Sequence, residues 1–366
     1  MPLYMDVHIV PGVKAKDVAE AHRKDLLHQH EYGCNCMTYW IDEERETIFC
    51  LIDAANKDAV REMHNKAHGL VPNKIIEVSS SIVESFLGRI YDPEDVKTGE
   101  DGLKIFADSS FRTLIVTRIA DPVLLQHQLG TEKANELINR YNEIIRKNIL
   151  LHNGSEVEHG GDGFIISFAS ASKAIACALA IQKDMPKFDS TILDFRIAIN
   201  GGEPIEKSNK LFGDVIQFAN HLAAISNNSQ IVIASSIKEL VSKDILQNKF
   251  NAFLSLSPQD ESVLKQLYQK LEEKWQDPDF DIPEYCKEMA MSQSQLYRKT
   301  TALTGLSCNT FLKDFRLQKA KDQMKKQRCT ISQITFDSGF TSPSYFTKCF
   351  KKKYGLLPME YIDLLH

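Results

Sequence analysis

The first 68 residues concentrate side chains that bind borderline and soft metal ions. They hold six of the eleven histidines and three of the eight cysteines of the chain. His64 and His68 are four residues apart in a stretch that predicts a helix, so both imidazoles face the same side. Imidazole and thiolate together suit nickel, copper, zinc or haem iron. The pattern indicates a metal or cofactor site. For any single histidine taken alone, a hydrogen-bonded structural role is the simpler interpretation.

Alternating strand and helix patterns over residues 1–79 must position these side chains. Their order is βαββαβ, which predicts a ferredoxin-like α+β sandwich. His8 and Cys50 fall on two strands that are sheet neighbours in this topology, and His22 falls on the first helix. Cys50 also fits a small core residue, because an unpaired cysteine packs well among apolar side chains.

This stretch resembles a family of small ferredoxin-like domains, some of which are described as nickel-binding. The likeness is carried by "MDVHIVPGV", "DVAEAHRKDL", "YWIDEERETIFCLIDA" and "HNKAHGLVPNKIIEV". It implies a metal site, with nickel first and zinc or copper as alternatives. The residues that it carries over as ligands are His8, His22, Cys50, His64 and His68. Four more residues, His28, His30, Cys34 and Cys36, match no such position and are expected at the surface.

Length and composition describe an ordinary globular chain. Its 366 residues predict two or three domains, and 43% hydrophobic content allows ample cores. The sequence lacks the run of roughly 20 apolar residues that a membrane span needs, so we expect no membrane partner. The start "MPLYMDVHIV" does not read as a signal peptide, and the cysteines are scattered. These features favour a cytoplasmic protein.

Charge is distributed unevenly along the chain. The net charge is −5, yet residues 292–366 carry thirteen Lys and Arg against five Asp and Glu. An acidic body with a basic tail suggests a module that binds a polyanion. A solvated, lysine-rich helical surface would give the same charge. The charge alone therefore does not distinguish such a surface from a polyanion-binding module, and the motifs of the tail are needed.

The tail contains two helix–turn–helix patterns with well-marked helix starts. Pairs three residues apart, Asp281 with Glu284, Ser292 with Gln295 and Thr330 with Gln333, mark helix N-termini. In each unit the second helix opens with small polar residues and carries basic residues along its length, as a helix that reads a major groove does. We expect DNA contacts from Ser294, Gln295, Arg298, Lys299, Ser342, Ser344, Tyr345, Thr347, Lys348, Lys351 and Lys352.

Residues 261–366 resemble the DNA-binding domain of AraC-type transcription regulators. The matching stretches are "YCKEMAMSQSQLYRK", "LTGLSCNTFLKDFRLQKAKDQM", "ISQITFDSGFTSPSYFTKCFKKKYG" and "LLPMEY". The resemblance implies two recognition helices that enter successive major-groove segments on one face of duplex DNA. Tyr285 and Cys286 depart from the short or aliphatic residues usual in the family.

The middle of the chain predicts an α/β unit between two linkers. The expected boundaries are a sensor domain at 1–80, a linker at 81–110, a middle domain at 111–242, a linker at 243–260 and a DNA-binding domain at 261–366. Residues 80–105 read as a polar connector. The middle domain alternates strands and helices around the turn "GGDG".

The middle domain resembles class III adenylate/guanylate cyclases, with most of their chemistry replaced. The likeness rests on "EVEHGGDGFIISFASASKAIACALAIQ", "RIAINGGEP" and "LFGDVIQFANHLAA". Such cyclases need two aspartates for two metal ions; Asp162 matches one, but Arg118 stands at the other. The base-selecting pair falls on Glu158 and Lys210, and the two transition-state residues fall on Gln217 and His221. The resemblance therefore implies a catalytically inactive domain that dimerises.

Together these features predict a one-component transcription regulator that is not an enzyme. A metal ion in the N-terminal domain is the first candidate signal, and a small molecule or nucleotide in the cyclase-like cleft is the second. The expected partners are double-stranded DNA, a second copy of the chain and RNA polymerase. Two alternatives come from other classes: an active nucleotide cyclase fused to a DNA-binding tail, and a metal-storage or redox protein whose tail has only a minor role in localisation.

Overall fold

A computed structural model describes residues 1–96, 102–185, 193–226, 230–241, 252–326 and 330–365. Two β-sheets are followed by a set of helices, which makes the protein a multidomain chain with α+β, α/β and all-α parts. Within these ranges no helix has both the length and the apolar character required to cross a bilayer.

The N-terminal part is an antiparallel four-stranded sheet with two helices, as the βαββαβ pattern predicts. Its sheet order is β2-β3-β1-β4. The elements are β1 (Leu3–Ile9), α1 (Ala15–His28), β2 (Asn35–Asp42), β3 (Thr47–Asp53), α2 (Lys57–Ala67) and β4 (Lys74–Val78). Alternate residues of a strand point to opposite faces, so β1 and β3 present one set of side chains to α1 and α2. The site described below lies on that face.

The prediction of a polar connector at residues 80–105 is wrong for its described parts, 80–96 and 102–105, because a helix packs into the core and Leu103 is buried. Helix α3 (Ser80–Leu87) buries Val83, Phe86 and Leu87 in the main apolar core. Farther along, Phe106 is buried and stacks on Tyr39 with ring centroids 4.2 Å apart. Apolar residues spaced three and four apart signalled the helix, but the polar residues between them masked it.

The middle part is a six-stranded sheet of order β10-β9-β8-β5-β7-β6. Its strands are β5 (Arg112–Arg118), β6 (Ser155–His159), β7 (Phe164–Phe168), β8 (Arg196–Gly202), β9 (Ile231–Ile233) and β10 (Phe253–Ser255). Its helices are α4 (Pro122–Leu129), α5 (Thr131–Leu151), α6 (Ala171–Asp184), α7 (Gly213–Ile225) and α8 (Ser235–Leu240). The central strand β5 pairs with β7 and β8. The end of β5 therefore lies beside the turn between β6 and β7, where the cyclase-like residues gather.

The second expected linker, residues 243–260, is only partly tested by the structure. Residues 242–251 lie outside the described residues. The remainder is not a linker: β10 extends the middle sheet in parallel with β9, and helix α9 already begins at Pro258.

The tail is entirely helical in its described residues. After α9 (Pro258–Lys274) come α10 (Ile282–Glu288), α11 (Gln293–Thr304), α12 (Cys308–Lys326), α13 (Ile331–Asp337), α14 (Pro343–Tyr354) and α15 (Pro358–Leu365). The predicted helix starts are confirmed: Asp281 caps α10, and reciprocal capping boxes open α11 and α13. Helices α10–α11 and α13–α14 are the two helix–turn–helix units, and α12 joins them.

Candidate metal site and DNA interface

A cluster of acidic, histidine and cysteine side chains lies between the N-terminal sheet and its helices. Asp6 and His8 are two apart on β1 and share a face, and Asp6 is paired across the sheet with Cys50 of β3. His64 reaches the same place from α2. One potential ligand atom from each of these four residues lies within 4.8 Å of the others. Four groups of the types that hold a transition metal therefore converge on one buried position.

His64 is held between two carboxylates. Its Nε2 lies 2.9 Å from Asp6 Oδ2, and its Nδ1 lies 3.1 Å from Asp25 Oδ1 on the other side of the ring. The side chain is fully buried. Burial alone would lower the pKa of His64, but Asp6 and Asp25 outweigh it and raise the pKa to about 10. The two carboxylates therefore favour the protonated form of the His64 imidazole.

The cluster retains coordinating capacity that the protein itself does not use. Asp6 Oδ1 is buried and accepts no hydrogen bond from any residue that the structure describes, although His8 Nε2 lies 3.3 Å away. Buried carboxylate oxygens are rarely left without a partner. Burial raises the pKa of Cys50 well above its usual value, so its thiol becomes a thiolate ligand only when a cation replaces the proton. These donors fit a divalent transition metal.

His68 is less suited to ligation than its position on the helix suggests. Its Nε2 lies 3.1 Å from Asp25 Oδ1, and its Nδ1 accepts a hydrogen bond of 3.2 Å from the backbone N–H of Leu70. An accepting Nδ1 leaves the proton on Nε2 in a neutral imidazole. A metal on Nε2 would move that proton to Nδ1, where it would oppose the Leu70 N–H. His68 therefore serves better as a hydrogen-bond partner of Asp25.

Of the remaining candidates, His22 is not part of the four-residue cluster but lines the same cavity as His8 and Cys50. His22 Nε2 is 3.3 Å from Asp92 Oδ2, and its ring packs near Tyr39. The expectation that Cys34 and Cys36 are surface residues is wrong, since both are buried. Burial also raises the pKa of Cys34 to about 11. His30 is exposed, as expected, and His28 is half-buried and contacts Glu31.

A small cavity opens onto the cluster. His8, Cys50, Asp25 and His68 contribute to its wall, beside apolar side chains of α1. Two of the four clustered residues, His8 and Cys50, therefore line a cavity.

Asp6 and Asp25 are site residues that the sequence did not predict. Asp6 was detectable as a carboxylate two residues before His8 on an otherwise apolar strand, which places both on one face. Asp25 follows His22 by three residues on α1, and only the packing of α1 against α2 shows that it reaches His64.

In the tail, the two recognition helices share one arrangement. In both α11 and α14 a serine, Ser292 or Ser342, caps the N-terminus by accepting from a backbone N–H. Two residues later comes an exposed serine, Ser294 or Ser344. A large, buried apolar residue follows two positions after this exposed serine. An exposed basic residue follows two positions after the apolar one. The two units thus present chemically similar surfaces.

Most of the expected DNA contacts are accessible. The exposed side chains are Ser294, Gln295, Arg298, Ser344, Tyr345, Lys348, Lys351 and Lys352, whereas Lys299, Ser342 and Thr347 are half-buried. Ser342 is engaged as the cap of α14. Gln295 Oε1 accepts a 2.9 Å hydrogen bond from the Ser292 N–H, which leaves its amide donors free. If the Ser342 hydroxyl bonded to a base instead, it would no longer cap α14.

The cyclase-like turn is closed by an ion pair. Arg118, at the end of β5, has Nη1 3.3 Å from Asp162 Oδ1 and Nη2 2.5 Å from Asn220 Oδ1. The turn lies tightly against β5, because a Cβ at Gly163 would be 1.9 Å from the Thr117 carbonyl oxygen. A guanidinium therefore lies beside the aspartate that matches a metal ligand of cyclases, and it repels a cation.

The surroundings of His221 also do not suit cyclase chemistry. Its ring stacks on Tyr268 of α9 with centroids 3.7 Å apart and planes 3° from parallel. Burial, with a smaller effect of Lys319, lowers its pKa to about 3. A neutral, stacked imidazole does not stabilise a developing phosphate charge as a cation would.

Two family models match separate parts of the chain. The model described as "Nickel responsive protein SCO4226-like" matches residues 4–78, and the one described as "Helix-turn-helix domain" matches residues 285–363.

Similar curated proteins match in short stretches. Histidine kinase P4 of Formosa agariphila is 33% identical over 108 residues, 30% of this chain and 8% of that protein. Putative adenylate cyclase 3 of Rhizobium meliloti is 29% identical over 112 residues, 29% of this chain and 19% of that protein. The HTH-type transcriptional regulator MtrA of Neisseria gonorrhoeae is 33% identical over 98 residues, 27% of this chain and 32% of that protein. The chain thus spans less than a third of the length of each.

Solved structures show partial likeness too. SCO4226 from Streptomyces coelicolor is 30% identical with a TM-score of 0.20, covering 21% of this chain and 94% of that one. The guanylyl cyclase Cya2 is 21% identical with a TM-score of 0.32, and the match covers 36% of this chain and 79% of that one.

The tail is therefore an AraC-type helix–turn–helix domain, which is a DNA-binding module. It is joined to an SCO4226-like domain at the N-terminus and to a cyclase-like domain in the middle.

Proposed function

We propose that the whole protein is a transcription regulator whose DNA affinity responds to a metal ion. The observation that carries this proposal is the convergence of Asp6, His8, Cys50 and His64 in a chain that ends in two helix–turn–helix units. The SCO4226-like match supports nickel as the ion, with zinc or copper as alternatives. A ligand shifts such an equilibrium only by binding one state of the regulator more tightly than the other.

In this proposal the ion occupies the Nε2 side of His64, where Asp6, His8 and Cys50 converge. The Nδ1–H of His64 then donates to Asp25, which orients the ring, and His68 supports Asp25. A carboxylate behind a ligating histidine is the usual second partner of such sites. The ion would supply charge neutralisation for the buried carboxylates, which links metal binding to the packing of α2 on the sheet.

The test combines metal analysis with DNA binding. Purified protein is loaded with Ni²⁺, dialysed and analysed for metal, for the wild type and for a His8→Ala/His64→Ala variant. His30→Ala, a change at an exposed histidine, is the control. We expect about one ion per chain in the wild type and the control and far less in the double variant. DNA affinity is then compared with and without a chelator. Metal binding that leaves DNA affinity unchanged refutes the sensor role.

We further propose that the middle domain does not cyclise nucleotides. The Arg118–Asp162 ion pair and the stacking of His221 support this. Incubation with ATP or GTP and Mn²⁺ should yield no cyclic product. Product formation that Asp162→Asn abolishes would establish the active cyclase instead.

The middle domain is proposed to hold two copies of the chain together on paired DNA sites, with RNA polymerase as a further partner. Paired half-sites match the two-fold symmetry of a dimer. Sedimentation at micromolar concentration tests the dimer, and a purely monomeric chain would contradict it. With it we propose an N-terminal domain at 1–80, a middle domain at 111–242 to which β10 adds a strand, and a DNA-binding domain at 261–366 that is preceded by the first residues of α9.

A further inference from the structure

A buried carboxylate of the middle domain contacts the two helices, α12 and α15, that flank the second helix–turn–helix unit. Asp121 Oδ2 lies 3.0 Å from Lys321 Nζ and 2.7 Å from Lys325 Nζ, both on α12. It also accepts a hydrogen bond of 3.0 Å from the Tyr361 hydroxyl of α15. The Asp121 side chain is 1% exposed, so these contacts lie out of water. Two helices that pack against the second unit, α12 and α15, thus converge on one residue of another domain.

The same residue also starts a helix that enters the core of this unit. Asp121 Oδ1 caps α4 by accepting from the Val123 N–H at 3.0 Å. Val123 and Leu124, in the first turn of α4, pack against the apolar cluster that includes Phe346 and Phe350 of α14. The middle domain therefore completes the core that supports the second recognition helix.

The first unit is attached to the middle domain elsewhere, through α9. Tyr268 of α9 stacks on His221 of α7. Near the start of α9, the Glu261 carboxylate accepts hydrogen bonds of 2.5 and 2.8 Å from the N–H and hydroxyl of Ser235. The Tyr285 hydroxyl then ties α10 to α9 through the Leu267 carbonyl at 2.9 Å.

The two units are thus anchored to one domain at two separate points. A charge pair buried at an interface contributes geometric specificity more readily than net stability, because its desolvation offsets its attraction. The spacing and relative direction of α11 and α14 determine which two major-groove segments, about one helical turn apart, can be read together.

We propose that Asp121 is a positioning residue for DNA recognition, which fixes the distance between the two recognition helices and so selects operators by the spacing of their two subsites. Asp121 does not touch DNA in this proposal. It acts through Lys321, Lys325 and Tyr361, which hold the second unit. The inference rests on the proposed DNA-binding function of the whole chain.

The test uses the full chain and duplex DNA that the wild type enriches from a randomised pool. Binding is measured on the enriched duplex and on versions with one base pair added or removed between the subsites. We expect the wild type to lose at least about tenfold in affinity on the altered duplexes. Asp121→Asn keeps a capping side chain for α4 but removes the charge, and we expect its discrimination to fall below about threefold.

Two further variants guard against misfolding and nonspecific effects. Lys325→Gln removes the closest contact from a partly exposed position and should reduce discrimination in the same direction. Glu136→Gln, a change at an exposed position of α5 in the middle domain, should leave it unchanged. The inference is overturned if the wild type tolerates altered spacing, or if Asp121→Asn and Lys325→Gln discriminate as strongly as the wild type. Failure of the wild type to enrich any duplex instead overturns the DNA-binding function itself.

Discussion

Asp25 and His64 form the contact that joins the two helices of the N-terminal domain at the candidate metal site. Asp25 Oδ1 lies 3.1 Å from His64 Nδ1, and both side chains are almost completely buried. One residue comes from α1 and the other from α2. The orientation of the imidazole toward Asp6, His8 and Cys50 therefore depends on how the two helices pack.

Asp25→Asn should weaken metal binding without removing a ligand of the proposed site. Loss of a carboxylate behind a ligating histidine typically costs about 10–100-fold in metal affinity. Competition with a chelating dye measures that affinity. Asp58→Asn, at an exposed aspartate of α2, is the matched control and should bind as the wild type does. An unchanged affinity in Asp25→Asn would show that His64 is not oriented by this contact.

His8→Ala and His68→Gln should separate a ligand from a supporting residue. We expect His8→Ala to abolish stoichiometric metal binding, because the nitrogen donor that lies 3.3 Å from Asp6 Oδ1 is lost. His68→Gln should retain the ion with a smaller loss of affinity, since an amide can still donate to Asp25. Isothermal titration with Ni²⁺ distinguishes the two. The reverse order of effects would place the ion on the Nδ1 side of His64.

Lys351→Ala and Ser344→Ala should affect DNA binding in different ways. Loss of one phosphate contact weakens binding on all sequences and reduces the slope of log affinity against log salt by about one unit. Lys287→Ala, at an exposed lysine of α10, is the control for general charge and should leave the slope unchanged. Ser344 is exposed and is not the cap of α14, so its replacement tests base preference without disturbing the helix start. Equal losses on all sequences for both variants would contradict this division.

The ion cluster at Asp121 should make the protein more sensitive to acid. Burial alone would raise the pKa of Asp121, but Lys321 and Lys325 outweigh it and hold the pKa at about 2. A carboxyl with a lowered pKa stabilises the fold above its ordinary pKa near 4, and this contribution is lost as the pH falls toward 2. The shift corresponds to roughly 2 kcal/mol.

Urea denaturation of the wild type and of Asp121→Asn, measured at pH 7 and at pH 3, tests this expectation. At pH 7 the wild type should have a larger free energy of unfolding than Asp121→Asn. This difference between the two proteins should be smaller at pH 3. A difference that is the same at both pH values would show that the charge of Asp121 does not contribute.

Much of the fold was predictable from local patterns. The βαββαβ order, the helix caps at Asp281, Ser292 and Thr330, and the paired units of the tail depend on residues close together in the chain. Side-chain periodicity and capping report local backbone geometry, so these features are legible without a structure. Helix α3 was missed because it is short and its apolar residues are interrupted by polar ones.

The candidate site was predictable only in part. His8, Cys50 and His64 stand out by residue type, and the expected topology placed two of them on adjacent strands. Asp6 and Asp25 did not stand out, because aspartate is common at surfaces and its burial depends on contacts between distant segments. Cys34 and Cys36 were misjudged for the same reason, since burial is a property of the packed domain.

The sequence by itself determined the order of strands and helices and the basic helices of the tail, because residue type and short-range spacing carry that information. The resemblance to cyclases, and not the spacing, placed Arg118 and His221 at positions where that family has catalytic residues. Only the tertiary structure decided that Asp25 supports His64 and that Asp121 binds Lys321, Lys325 and Tyr361. These contacts join residues from 39 to 240 positions apart, and an ion pair between such residues forms only where independent elements pack together. Local patterns constrain each element, whereas desolvation and charge pairing act on the surfaces that the elements share.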